Sequence, residues 1–204
     1  VFRHLLWDMG GTMFDTYPQV DAMFAQIVRE HGQTVSDMEV SRLTRISTGE
    51  AMRHLAHQFK IPIADFLRAE AALKTRWRTD PPPTMPGLSE VMDALSGKNL
   101  VVTHRDRASA TALLNAREIL VDDLICPDDG FARKPDPQMY LELIRRHDLA
   151  PEECLGIGDR PLDAHGAHGA GITAAMLITP DLPMPSGPAE FTITGLTELL
   201  TVVE

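Results

Sequence analysis

Leu5-Leu6-Trp7-Asp8-Met9-Gly10-Gly11-Thr12 is the stretch on which the reading of this chain turns. Three apolar residues make a short buried-strand run. A carboxylate closes it, and two glycines let the backbone turn sharply and approach a ligand closely. An acid in that place is poised to meet whatever binds beyond the strand. Taken alone, Asp8 is equally well a strand-to-turn punctuation. It gains meaning from three further polar stations downstream, in order.

Working outward, the rhythm of the chain changes twice. From Pro18 to about Trp77 it is helical: Val20, Met23, Phe24, Ile27 and Val28 share one face, which Gly32 ends. Ser36-Asp37-Met38-Glu39 has the form of a capping box ahead of Val40, Leu43 and Ile46. Ala51, Met52, Leu55, Ala56 and Phe59 make a third stripe. Pro62 suits the first turn of a fourth helix carrying Phe66, Leu67, Leu73 and Trp77. Four amphipathic helices in succession predict a small bundle, and Pro81-Pro82-Pro83 a stiff connector behind it.

After Pro86-Gly87 strand–helix repeats begin. A helix with Val91, Met92 and Leu95 leads to a strand at Leu100-Val101-Val102. A helix over 108–116 is followed by a strand near Leu124-Ile125-Cys126. Asp136-Pro137 reads as N-cap and first turn of a helix turning Tyr140, Leu143 and Ile144 inward. Further strands are expected at Leu155-Gly156-Ile157, over 173–178 and at Phe191-Thr192-Ile193, with a last helix over 196–200. The alternation predicts an α/β fold: a parallel, Rossmann-like sheet with helices on both faces. The first strand belongs to that sheet, so residues 16–83 read as an inserted all-α domain, and residues 1–15 with 84–204 as the α/β core. The Pro-rich stretch 180–188 reads as a surface loop.

Composition narrows the function. The 204 residues are 44% hydrophobic and 24% charged, those of an ordinary globule, with a formal net charge of −10. That balance speaks against a nucleic-acid binder working by phosphate neutralisation. No apolar stretch has the length of a membrane span. Nothing points to a protein partner. Cys126 and Cys154, flanked by Ile125 and Leu155, read as buried free thiols. The opening Val1-Phe2-Arg3-His4 lacks a secretory pattern, so a cytoplasmic location is expected.

The four stations are Asp8, Thr103, Lys134 and the pair Asp159/Asp163, each just past an apolar strand or in a following loop. In a parallel sheet such strand ends converge on one edge. Three carboxylates there face one lysine, and unbalanced like charges at 4 Å repel by about 4 kcal/mol at an intermediate dielectric. A Mg²⁺ ion removes the imbalance, and oxygen-only donors suit a hard cation. The resulting pocket accepts a phosphate dianion, with Lys134 and the Thr103 hydroxyl facing its oxygens. Singly, Thr103 could merely end a strand, Lys134 could be an exposed loop lysine, and Asp159 and Asp163 could cap a helix.

With Asp8-Met9-Gly10-Gly11-Thr12, Val101-Val102-Thr103, Lys134-Pro135 and Gly158-Asp159-Arg160-Pro161-Leu162-Asp163, the chain resembles the haloacid dehalogenase-like hydrolases. Their four motifs are DxDGT, a Thr or Ser after a strand, a Lys often followed by Pro, and GDxxxD. The resemblance spans the whole chain and includes a helical cap between the first two motifs. It implies a Mg²⁺-dependent phosphatase acting on a small phosphorylated metabolite, phosphoglycolate-like or a sugar phosphate. It implies Asp8 as nucleophile, forming an aspartyl-phosphate that water hydrolyses. Mg²⁺ would be held by Asp8, the Gly10 carbonyl, Asp159 and Asp163. Thr103, Lys134, Gly11 and Thr12 would grip the phosphoryl group, and Arg53 of the cap would touch the substrate.

One departure matters. The family's phosphatases carry a second Asp where this chain has Gly10, and that residue protonates the leaving group. Such acid–base help is worth about 10²–10⁴-fold. His104, directly after Thr103, is the nearest candidate substitute, with Arg53 or His54 of the cap behind it. The alternatives are an acidic leaving group that needs no help, or a binding-only protein. A phosphonate hydrolase would need a buried cap lysine, and Lys60 and Lys74 are the two available. A dehalogenase would carry an aromatic residue at position 10. Thr48-Gly49-Glu50 is as readily a helix start as a pocket wall. His165 and His168 read as helix-surface residues, and the glycine-rich run 166–171 as small residues for close helix–sheet packing.

Overall fold

The computed structural model describes residues 1–179, 182 and 184–204. Pro180, Asp181 and Pro183 of the Pro-rich stretch thus lie outside the described residues. In chain order the elements are β1 (His4–Trp7), α1 (Tyr17–Glu30), α2 (Asp37–Ile46), α3 (Thr48–Phe59), α4 (Ile63–Arg76), α5 (Leu88–Ala94), β2 (Asn99–Val102), α6 (Arg107–Ala116), β3 (Asp123–Ile125), α7 (Gln138–His147), β4 (Cys154–Gly158), α8 (Pro161–Gly169), β5 (Thr173–Leu177) and β6 (Phe191–Ile193). Two compact units result: Val1–Phe14 with Thr84–Glu204, and Asp15–Pro83.

The first unit is built on a six-stranded sheet of order β3-β2-β1-β4-β5-β6, every neighbouring pair parallel. Leu6 pairs with Leu100 on one side and Gly156 on the other. Leu5, Leu6, Trp7, Val101, Val102, Leu155 and Ile157 are all buried. Alternate residues of a strand point to opposite faces, so both faces of this sheet are covered. One face is packed by α7 and α8: Leu6, Leu100, Val102 and Ile125 meet Met139, Tyr140, Leu143, Ala164 and Ala167. The glycines explain how closely α8 lies. A Cβ on Gly156 would stand 2.7 Å from Ala167 Cβ, and one on Gly166 would stand 2.8 Å from Tyr140 Cε2. The glycine-rich run is a packing surface.

The second unit is a bundle of α1 to α4. Phe24 and Phe66 join α1 to α4 with ring centroids 5.7 Å apart. Asp21 of α1 accepts hydrogen bonds from Ser41, Thr44 and Arg45 of α2 at 2.6–3.0 Å, a polar tie that helical periodicity does not disclose. Ser36 Oγ accepts from the Glu39 amide at 3.2 Å, starting α2 as expected. Ile46 and Leu67, expected on apolar stripes, are instead 54% and 51% exposed. They sit one position off the inward face set by Val40, Thr44, Phe66 and Leu73.

Two boundaries shift. Asp136 Oδ1 accepts from the Gln138 amide at 3.0 Å, so α7 starts after Pro137 rather than at it. Strand β3 ends at Ile125, and the Asp129 carboxylate takes the Cys126 amide at 2.8 Å in place of a ladder bond. The expected last helix is a 3₁₀ helix over Leu196–Thr201. Cys126 and Cys154 are both buried and free. Among the described residues no helix is long and apolar enough to cross a membrane.

Candidate active site

The sheet order places the site before any side chain is considered. From β1 the chain steps to β2 and β3 on one side, then returns to β4 on the other side of β1. Ligands of open α/β sheets bind beyond the carboxyl ends of the strands where the order reverses. Here that point lies between β1 and β4. Asp8 follows β1, Asp159 follows β4 and Thr103 follows β2. The ladder continues one bond further, with the Asp8 amide donating to Ile157 O at 2.8 Å and the Thr103 amide to Ile125 O at 3.1 Å. Rigid sheet, not loop, therefore aims Asp8 and Thr103.

Lys134 binds the group together. Its side chain is fully buried, so it is not the exposed loop lysine that its sequence context allowed. Its Nζ donates to Asp8 Oδ1 at 2.6 Å and to Val102 O at 2.9 Å. It also stands 2.6 Å from Asp163 Oδ1, a second ion pair. Asp163 lies in the first turn of α8, where its Oδ2 accepts from the Arg160 amide at 3.1 Å. It therefore both caps a helix and faces the site. Gly158 makes this approach possible, because a Cβ there would fall 2.2 Å from Asp163 Cβ. The turn after Asp8 is closed through the Met9 carbonyl, which accepts from Thr12, Met13 and Phe14, with Gly11 at φ 82°.

Carboxylate oxygens of Asp8, Asp159 and Asp163 lie within 4.8 Å of one another. Asp8 Oδ2 is buried with no hydrogen-bond partner, whereas Asp163 Oδ1 already meets the Lys134 ammonium at 2.6 Å. A buried carboxylate oxygen left unpartnered, like Asp8 Oδ2, costs stability unless a cation meets it. An all-oxygen set of this size fits a hard divalent ion.

Electrostatics separates the two deepest acids. Burial pushes the Asp8 carboxyl up, but Lys134 and then Arg160 outweigh it and hold its pKa below the ordinary value. For Asp163 burial prevails, aided by the Asp8 charge, and its pKa is raised. Burial works against the Lys134 ammonium, yet Asp163 and Asp8 together raise its pKa. Asp8 is thus favoured in its ionised form, with one oxygen tied to an ammonium and the other without a hydrogen-bond partner.

The remaining expected residues divide. Thr12 Oγ1 donates to Asp159 Oδ1 at 3.4 Å. Thr103 Oγ1 accepts from the Arg105 amide at 3.1 Å, which orients the hydroxyl. Gly10 is half-buried and Gly11 buried. His104 is half-buried with an unpartnered, buried Nε2; burial, then Lys134 and Arg160, push its pKa down to about 3. A neutral imidazole with so low a pKa is a poor proton donor. Arg53 lies in the other unit, exposed on α3 and paired with Glu50 at 2.7 Å. It shares a polar groove with Glu39, Glu50, His54, His57 and Gln58. Ser47 Oγ accepts from the Glu50 amide at 2.9 Å, so Thr48-Gly49-Glu50 is a helix start. Lys60 is exposed and Lys74 pairs with Glu70 at 3.6 Å; neither has the buried setting of an activated amine. His165 and His168 are exposed on α8, as expected.

One residue escaped the sequence reading. Arg160 puts a second cation at the site, its Nε 4.0 Å from Asp159 Oδ1 and its side chain 14% exposed. The signal was present: it stands between the two motif aspartates.

A family model of the haloacid dehalogenase-like hydrolases matches residues 5–177. The chain belongs to the haloacid dehalogenase-like hydrolases. It is 28% identical to the validoxylamine A 7′-phosphate phosphatase of Streptomyces hygroscopicus subsp. limoneus, over 98% of this chain and 96% of that protein. It is 27% identical to the N-acetylmuramic acid 6-phosphate phosphatase of Pseudomonas putida, over 85% of this chain and 81% of that protein. Its fold is also that of a haloacid dehalogenase-like protein of Agrobacterium tumefaciens, with a TM-score of 0.83 at 18% identity, covering 99% of this chain and 97% of the other. In this haloacid dehalogenase-like hydrolase the strand-end acids are the residues at which the family resemblance began.

Proposed function

We propose that this chain is a Mg²⁺-dependent phosphatase that hydrolyses a phosphate monoester of a sugar-like metabolite through an aspartyl-phosphate on Asp8. The observation that carries this reading is the state of Asp8. It is a buried, ionised carboxylate at the switch point of the sheet, with Oδ1 on Lys134 and Oδ2 unpartnered. A carboxylate needs no general base to become a nucleophile, and burial removes the hydration that would blunt it. The names of the two curated relatives, phosphatases of a 7′-phosphate and a 6-phosphate, support the substrate class.

Asp8, Asp159 and Asp163 would hold Mg²⁺, with the Gly10 carbonyl as a further oxygen donor. The bound ion would neutralise carboxylate charge and polarise the phosphoryl oxygens. Asp8 Oδ2 attacks phosphorus, the P–O bond to the leaving group breaks, and water later releases inorganic phosphate and restores the carboxylate. Lys134 and Thr103 hold phosphoryl oxygens, and the Gly11 and Thr12 turn brings backbone close to them. Arg53 remains the candidate contact to the rest of the substrate.

Gly10 supports a second reading, a phosphate-ligand-binding protein with little turnover, because position 10 has no side chain to move a proton. One assay separates the two. Wild-type protein with Mg²⁺ should hydrolyse p-nitrophenyl phosphate, whose leaving group needs no protonation, and Asp8→Asn should not. Absence of turnover by the wild type sinks the enzyme reading; equal turnover by Asp8→Asn sinks the assignment of the nucleophile.

A further inference from the structure

Tyr140 of α7 is fully buried, and its hydroxyl donates to the backbone carbonyl of Asp163 at 3.3 Å. Burial, first among the causes, pushes its pKa up, so the O–H stays a donor. The ring lies between strand and helix. A Cβ on Gly156 of β4 would stand 3.6 Å from Tyr140 Cε1, and one on Gly166 of α8 2.8 Å from Cε2. The same Gly166 position is 3.5 Å from Lys134 Cγ, so the stem of the lysine runs beside the ring. Phenylalanine would fill that space without taking a hydroxyl out of water, so packing alone does not call for tyrosine. Nor does the carbonyl need it, because a carbonyl at that place in a helix has the amide four residues on as its donor.

We propose that Tyr140 is a positioning residue for the candidate metal site, its hydroxyl holding the first turn of α8 by the Asp163 carbonyl so that the Asp163 carboxylate stays within reach of Mg²⁺. The proposal rests on the reading of Asp8, Asp159 and Asp163 as Mg²⁺ ligands. Asp163 is the third residue of α8, so its carboxylate goes where the first turn of that helix goes. Its Oδ1 stands 2.6 Å from Lys134 Nζ, and its Oδ2 accepts the Arg160 amide at 3.1 Å. Both contacts are made by the side chain. The Tyr140 bond instead holds the backbone from which that side chain springs, and it does so from a neighbouring helix. One oxygen from each of Asp8, Asp159 and Asp163 falls within 4.8 Å of the others. Metal–ligand distances tolerate only about 0.2 Å. A turn free to slide further than that loses affinity for the ion while the sheet stays intact.

The rival role is structural: the hydroxyl adds stability and nothing to the site. Calorimetric titration of Mg²⁺ into the full chain, well below its melting temperature, separates the two. Tyr140→Phe keeps the ring and removes the hydroxyl. Its Mg²⁺ affinity should fall about three- to tenfold, the low side of what contacts behind a metal ligand are worth. Excess Mg²⁺ should then restore turnover of p-nitrophenyl phosphate. Ser96→Ala is the comparison. It removes a hydroxyl-to-carbonyl bond of 2.7 Å to Glu204, ahead of β2 and so at the other end of the strands, and should bind Mg²⁺ as the wild type does. A loss of less than about threefold in Tyr140→Phe, or an equal loss in Ser96→Ala, overturns the proposal. Turnover that stays low at saturating Mg²⁺ also overturns it. Should Tyr140→Phe not fold, Gly166→Ala decides, because its Cβ presses on the ring at 2.8 Å, and wild-type Mg²⁺ affinity there overturns the proposal too. A wild type that binds Mg²⁺ and turns over, with Tyr140→Phe doing both equally well, sinks this proposal alone. A wild type that binds no Mg²⁺ sinks it together with the metal reading.

Discussion

Replacing Gly158 by alanine should dismantle the proposed metal-binding edge while sparing the sheet. The new Cβ would stand 2.2 Å from Asp163 Cβ, 2.5 Å from its Cγ and 2.6 Å from its Oδ2. Carbon atoms in contact settle near 3.5 Å, so Asp163 must withdraw by roughly 1 Å. Metal–ligand distances tolerate only about 0.2 Å. Withdrawal also loosens the Arg160 amide to Asp163 Oδ2 bond of 3.1 Å. Overpacking costs about 1–3 kcal/mol and the hydrogen bond about 1 kcal/mol more. For a chain of this length that lowers Tm by about 5–15 °C. Differential scanning calorimetry reads the stability, and Mg²⁺ titration with p-nitrophenyl phosphate turnover reads the site. Mg²⁺ affinity should fall about tenfold or more. Gly195→Ala is the control: nothing lies within 4 Å of its added Cβ, and its backbone is extended, so Tm should hold. If Gly158→Ala keeps wild-type Mg²⁺ affinity and turnover, Asp163 is not where the steric argument needs it.

Lys134→Met removes the cation between two buried carboxylates and should cost about 3–5 kcal/mol, part of it restored by Mg²⁺; a melting temperature indifferent to both changes refutes the ledger of charges. His104 has a folded-state pKa of about 3, below its ordinary 6.5, so as pH falls the unfolded chain takes up the proton first. Its ring therefore withdraws stability progressively from about pH 6.5 toward 3, and His104→Asn should flatten thermal stability against pH over that window; parallel curves refute it. Gly10→Asp should speed hydrolysis of alkyl phosphates by about 10²–10⁴-fold and that of p-nitrophenyl phosphate far less. An equal gain on both substrates would mean that the new carboxylate is not acting as the acid.

The strands were legible because a parallel sheet buried on both faces demands short unbroken apolar runs, and Leu5-Leu6-Trp7 and Leu100-Val101-Val102 are such runs. Helix surfaces were less so. Ile46 and Leu67 are apolar yet exposed, because a stripe read from periodicity does not say where its edge lies. The start of α7 moved because Asp136 spends its carboxylate on the Gln138 amide, a choice made by loop geometry. Arg160 was missed as a charge because the motif around it drew attention to its aspartates alone.

By itself the sequence marked the candidate residues and their order: an acid after a strand, a hydroxyl after another, a lysine just before a proline, two acids four apart. Local preferences of backbone and side chain are enough for that. Only the tertiary structure decided that Lys134 is buried against Asp8 and Val102, that Asp8 keeps one oxygen open, and that Arg160 adds its charge to the group. The Lys134 contacts depend on distances between residues far apart in the chain, 126 positions for Asp8 and 32 for Val102. Such distances arise from strand order and from glycines that admit close approach, and no window of neighbouring residues contains them.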